Sequence, residues 1–135
     1  MIKPNFSGKW KFNPELSTLQ IKPPEATLIA IDHSENIFRL ERTHTFASKE
    51  ETFSIELKMD GTTEEITRGG LRIQARVYWE ENSLVFDTML FTKNNHAANI
   101  VRYNLEENGN IITAKEKFRS ADINYDNLWV MQKCE

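Results

Sequence analysis

The sequence predicts an all-β protein, a single antiparallel up-and-down β-barrel of eight to ten strands, and three observations carry that expectation. Short segments alternate apolar and polar residues with a period of two along most of the chain. Turn residues, Asp60-Gly61 and Asn108-Gly109 among them, separate these segments at short intervals. The first segment carries an aromatic face, Phe6, Trp10 and Phe12, against Ser7, Lys9, Lys11 and Asn13. Gly8 removes a side chain just before Trp10, where a strand bends or another piece of chain comes close, so the indole is placed to plug one end of a small barrel.

After that strand, Asn13-Pro14-Glu15-Leu16-Ser17 reads as a helix start, with Asn at the cap, Pro at the first helical position and Glu in the first turn. Pro23-Pro24 stops any helix by residue 22. What fits is a short helical turn, with Leu16, Leu19 and Ile21 available to cover a barrel end. Strands are then expected at Ala26 to Asp32, Ile37 to Phe46, Glu51 to Met59 and Thr63 to Thr67. Further strands follow at Leu71 to Glu80, Ser83 to Thr92, Ala98 to Glu106, Ile111 to Arg119 and Asp126 to Lys133. The strand from Leu71 is the most regular alternation, whereas Ser83 to Thr92 is apolar on both parities and leaves its facing open. About ten antiparallel strands with one polar face must close or stack, because exposed edges invite aggregation. A barrel wider than about eight strands tends to leave interior room for a ligand, where a smaller one is filled by its own side chains.

At 135 residues the chain is expected to form one domain, 1–135, that buries roughly two thirds of the surface of its unfolded form. The net charge of −3 comes from interspersed acidic and basic residues, which excludes a polyanion footprint and so nucleic acid as a partner. The single cysteine, Cys134, permits neither an intrachain disulfide nor a thiolate cluster. No apolar run approaches the length of a membrane span, and no apolar h-region follows Met1. The expectation is a soluble monomer or weak homodimer, cytoplasmic as the sequence stands or exported if a signal peptide was removed.

Two polar residues interrupt an apolar register. Arg42 and His44 share a face with Phe38, Leu40 and Phe46. If that face lines a cavity, they could hold a carboxylate or phenol, Arg by a two-pronged contact and His as donor or acid. If the strand runs past the barrel rim, both are solvated. Arg102, Asn104 and Asp87, with Tyr78 or Tyr103, are further candidates for a polar anchor, each weighed against a surface cross-strand pair. Phe38 and Phe53 are candidate apolar walls. His33, His44 and His96 share no metal-ligand spacing, and no nucleophile elbow or phosphate loop occurs. No metal, cofactor or catalytic residue is expected. Gly8, Trp10 and Trp129 read as structural.

The motif Phe6-Ser7-Gly8-Lys9-Trp10-Lys11-Phe12-Asn13-Pro14-Glu15-Leu16-Ser17, with the Trp79 to Val85 hairpin and the Tyr103 to Gly109 turn, resembles the calycin group of lipocalins and fatty-acid-binding proteins. The nearest likeness is to small bacterial lipocalin-like proteins of uncharacterised function, and it covers essentially the whole chain. The resemblance implies a barrel and permits a pocket. It also implies that the first-strand Trp pairs with a late basic residue, for which Lys133 or Arg119 is available. Fatty-acid-binding proteins insert two lid helices after the first strand, and Pro14 to Pro24 is too short for them.

The expected function is non-covalent binding of a small hydrophobic or amphipathic molecule in the barrel interior, with Arg42, His44, Phe38, Phe53, Tyr103 and Arg102 as contacts. An interaction or inhibitor module with a filled barrel is the first alternative. A barrel enzyme of isomerase, cyclase or decarboxylase type, using His44, Tyr103 or Glu116, is the second.

Overall fold

The computed structural model describes residues 3–134, with the side chain of Glu107 left out. Ten strands form one sheet: β1 (Gly8–Phe12), β2 (Ala26–His33), β3 (Ile37–Phe46), β4 (Lys49–Lys58), β5 (Glu64–Arg68), β6 (Leu71–Glu80), β7 (Ser83–Phe91), β8 (His96–Glu106), β9 (Ile111–Ser120) and β10 (Asn124–Lys133). All pair antiparallel in the order β4-β3-β2-β1-β10-β9-β8-β7-β6-β5. The meander therefore closes through β1 and β10, where Trp10 lies opposite Lys133. The expected all-β up-and-down barrel is what forms.

Closure is incomplete between β4 and β5, the two ends of the strand order. Side chains cross this seam in place of a ladder: Arg68 donates to the Ser54 carbonyl and stacks 5.1 Å over Phe53, and Glu64 accepts from the Lys58 amide at 3.2 Å. The free edge of β4 carries Lys49, Glu50 and Glu51, charges that discourage pairing with another chain.

One end is packed solid. Phe6, Trp10, Phe38, Leu57, Val77 and Leu84 are all at most 1% exposed. The Trp10 indole N–H donates to the Phe6 carbonyl at 2.9 Å, and the Phe6 amide donates to His33 Nε2 at 2.9 Å. Gly8 has φ +140°, and a Cβ there would come within 3.3 Å of Lys133 Cε. Its missing side chain leaves room for Lys133, whose ammonium lies 5.7 Å from the Trp10 ring centroid. Of the two basic residues implied for this role, Lys133 takes it, while Arg119 pairs with Asp126 at 2.7 Å.

The helix start after β1 stops after a single turn. Asn13 Oδ1 accepts from the Glu15 and Leu16 amides as a cap should, but Thr18 already exchanges backbone hydrogen bonds with Leu128. Pairing with the sheet satisfies the groups that a second helical turn would have used. Leu19 and Ile21 pack on the core, and Leu16, expected beside them, is 55% exposed. His33 and His96, just outside the expected strands, end β2 and begin β8.

Candidate functional site

Inward-facing positions change from apolar to polar within one zone of the barrel. The series on β3 runs Phe38, Leu40, then Arg42 and His44; on β9 it runs Ile112, Ala114, then Glu116. The series on β10 runs Met131, Trp129, then Asn127, and on β8 it runs Tyr103, Val101, then Asn99. Register brings the polar members together, because Glu116 lies opposite Asn127 and Val101, and Asn99 lies opposite Thr88 and Phe118. A cavity of about 330 Å³ occupies this zone, with Arg42, His44, Asn99, Tyr103, Glu116 and Trp129 in its wall. Ile21 and Phe46 join the lining, as do Phe118 and Tyr125, whose rings stack at 4.8 Å.

Glu116 is the hub of this wall. Its Oε1 accepts from Asn127 Nδ2 at 2.8 Å and from Trp129 Nε1 at 2.9 Å, and its Oε2 accepts from Asn99 Nδ2 at 3.1 Å. Asn127 Oδ1 in turn accepts from the Gln20 amide at 2.8 Å, so this side chain also ties down the segment that crosses the barrel end. Asn99 has no such second bond: its Oδ1 is buried without a protein partner. The hydroxyl of Thr88, its cross-strand neighbour, is likewise unpartnered.

Arg42 faces the cavity with no carboxylate in ion-pair range among the described residues. Its guanidinium rests 5.2 Å over the Phe53 ring, and its Nε is buried with no hydrogen-bond partner. A cation so placed presents an anion with a desolvated donor and few competitors. His44 shares a 2.7 Å hydrogen bond between Nδ1 and Thr27 Oγ1 and stacks 5.6 Å from the Trp129 ring. Burial lowers its pKa to about 4, Arg42 pushes the same way, and Glu116 opposes. Burial likewise pushes the Tyr103 phenol up to about 12, with Arg42 opposing and Glu116 adding. At neutral pH the imidazole is therefore neutral and the phenol protonated, both hydrogen-bonding groups rather than charges. Both shifts lead away from neutrality, where a general acid or base works best.

Of the six contacts named from sequence, the cavity gathers Arg42, His44 and Tyr103. Phe53 lies beneath the Arg42 guanidinium, and Phe38 is fully buried against Phe86, 6.1 Å between ring centroids, in the packed end. Arg102 stands on the outer face, bound to Glu80 at 2.7 Å. Asp87 and Asn104 also make surface cross-strand pairs, with Arg76 and Ser83. Asn99 and Asn127 were missed, though each shares the parity of a large apolar neighbour, Tyr103 and Trp129. Among the described residues, no group of three His, Cys, Asp or Glu side chains is placed to hold a metal, and no helix is long and apolar enough to cross a membrane.

No family model matches the chain, and no curated protein does. Among solved structures, secretory abundant heat soluble protein 4 from Ramazzottius varieornatus is similar, with a TM-score of 0.66 at 16% identity over 100% of this chain and 98% of that one. A second secretory abundant heat soluble protein from that organism, crystallised from a dimer sample, has a TM-score of 0.67 at 10% identity over 98% of each chain. At these identities the likeness shows the fold alone, a lipocalin-like barrel.

Proposed function

We propose that this barrel binds a small amphipathic molecule non-covalently, with an acidic group of the ligand on Arg42 and its apolar part against Trp129 and Phe118. The unpaired guanidinium of Arg42 in the cavity wall carries this reading. Left alone, a partly buried cation without a counter-ion is a cost to the fold, and a bound acid offsets it. A filled barrel acting only through its surface fits a 330 Å³ cavity poorly. The binding unit is the single barrel 1–135, self-associating weakly at most.

Native mass spectrometry of gently purified protein, followed by denaturing extraction, tests the reading. The expected result is a retained organic acid, or uptake of one from a panel of alkyl and aryl carboxylates. Arg42→Gln should then weaken binding by about tenfold or more, the worth of a hydrogen bond to a charged group. Uptake that is equally strong in Arg42→Gln, or no uptake of any acid, refutes it.

A further inference from the structure

The wall groups specify more than an acid. Asn99 is oriented by Glu116, since a carboxylate that already receives the Asn127 and Trp129 donors must also receive Nδ2, not Oδ1, from Asn99. That leaves Oδ1, an acceptor, without a protein partner in the cavity wall. Arg42 offers the opposite, a donor without an acceptor. The two stand on β3 and β8, five steps apart in the ten-strand order and so on facing walls. An occupant that satisfies both carries its acceptor and its donor at opposite ends.

Size and lining narrow the class. The cavity of about 330 Å³ is roughly twice the volume that encloses a benzene ring, which suits an occupant of about a dozen heavy atoms. Its walls include the rings of His44, Tyr103, Phe118, Tyr125 and Trp129, flat surfaces suited to an aromatic ring. Resting on the binding reading above, we propose that the occupant is a small aryl carboxylate with a hydroxyl or N–H donor at the end remote from the carboxylate. The carboxylate takes the guanidinium of Arg42, and the donor takes Oδ1 of Asn99. A plain alkyl acid would set a methyl group beside that acceptor and leave it buried and unpaired, the penalty that makes such sites discriminate.

Calorimetric titration of the full chain at neutral pH with four probes tests this: para-hydroxyphenylpropanoate, its para-methoxy analogue, phenylpropanoate and dodecanoate. The hydroxy acid should bind about tenfold more tightly than phenylpropanoate, and the methoxy analogue, which has lost the donor, no better than phenylpropanoate. In Asn99→Leu the hydroxy and unsubstituted acids should bind alike. Equal affinities for the hydroxy and unsubstituted acids in the native chain overturn the inference and leave the binding function standing. Binding of dodecanoate but of no aryl acid does the same. If none of the four binds, the broader reading fails together with this one. The comparison of hydroxy with methoxy probe needs no variant, so the result holds even where Asn99→Leu does not fold.

Discussion

The two ends of this barrel are built from the same strands and obey opposite rules. Around Trp10 no described side-chain N or O atom is buried without a partner, and the indole N–H donates to the Phe6 carbonyl and the Phe6 amide to His33. Around Arg42 the interior holds a carboxylate, a guanidinium and carboxamides, and three buried polar atoms have no protein partner. A sequence selected only for stability would have continued Phe38 and Leu40 of β3 with two more apolar residues. The first region is arranged for stability and the second leaves some of it unused, a division common at binding sites.

Truncating each region separates them most sharply. Trp10→Ala should cost about 3–5 kcal/mol, the range for removing a fully buried aromatic side chain. Arg42→Leu should change stability by no more than about 1 kcal/mol in either direction, because it removes an unpaired charge from a half-buried site. Urea unfolding of both variants measures the difference. A loss in Arg42→Leu that matches the loss in Trp10→Ala would mean that the cavity wall is a structural core after all.

Acid provides a second, smaller separation. His44, in the cavity wall, has its pKa lowered from 6.5 to about 4, chiefly by burial. His33, under Phe6 at the packed end, is lowered too, again chiefly by burial. A histidine whose folded pKa lies below its unfolded value binds its proton more readily when unfolded, so stability is whole above 6.5 and falls as pH drops from there toward 4. Below about 4 the folded state is protonated as well, and His44 contributes no further loss. The larger shift belongs to the cavity wall, so His44→Gln should flatten the profile of stability against pH more than His33→Gln does. Unfolding midpoints across this window check it, and the reverse order would place the acid-sensitive point at the packed end.

The packed end was largely legible from sequence, because each of its features is local to one strand. Phe6, Trp10 and Phe12 share a parity, and Gly8 sits two residues before the Trp. The polar zone was legible only where a residue broke an apolar run, as Arg42 and His44 do. That Glu116, Asn127 and Asn99 join them depends on which residues of neighbouring strands lie opposite, and turn lengths set that register. One such turn is shorter than expected. Ala47 and Ser48 both adopt positive φ, 48° and 65°, without the Gly or Asn that advertises it, so β4 begins at Lys49 rather than Glu51. The helix signals at Asn13 and Pro14 were present but lost to the pairing of Thr18 with Leu128, a tertiary contact that local propensity does not contain.

The smallest effect bears on the finest point. Thr88 is 6% exposed and its hydroxyl lacks a partner, between Ala75 on one neighbouring strand and Asn99 on the other. Thr→Val normally destabilises a buried site because it removes a hydrogen bond, whereas here it removes only an unsatisfied group from a side chain of the same shape. Thr88→Val should therefore raise stability by about 0.5–1 kcal/mol, read as a higher urea midpoint, with ligand affinity unchanged. A fall of that size would show that the hydroxyl does have a partner, and Asn99 Oδ1 is the unpaired acceptor on the residue opposite. The acceptor assigned to the ligand would then already be taken, and the cavity would ask of its occupant an acid and nothing more.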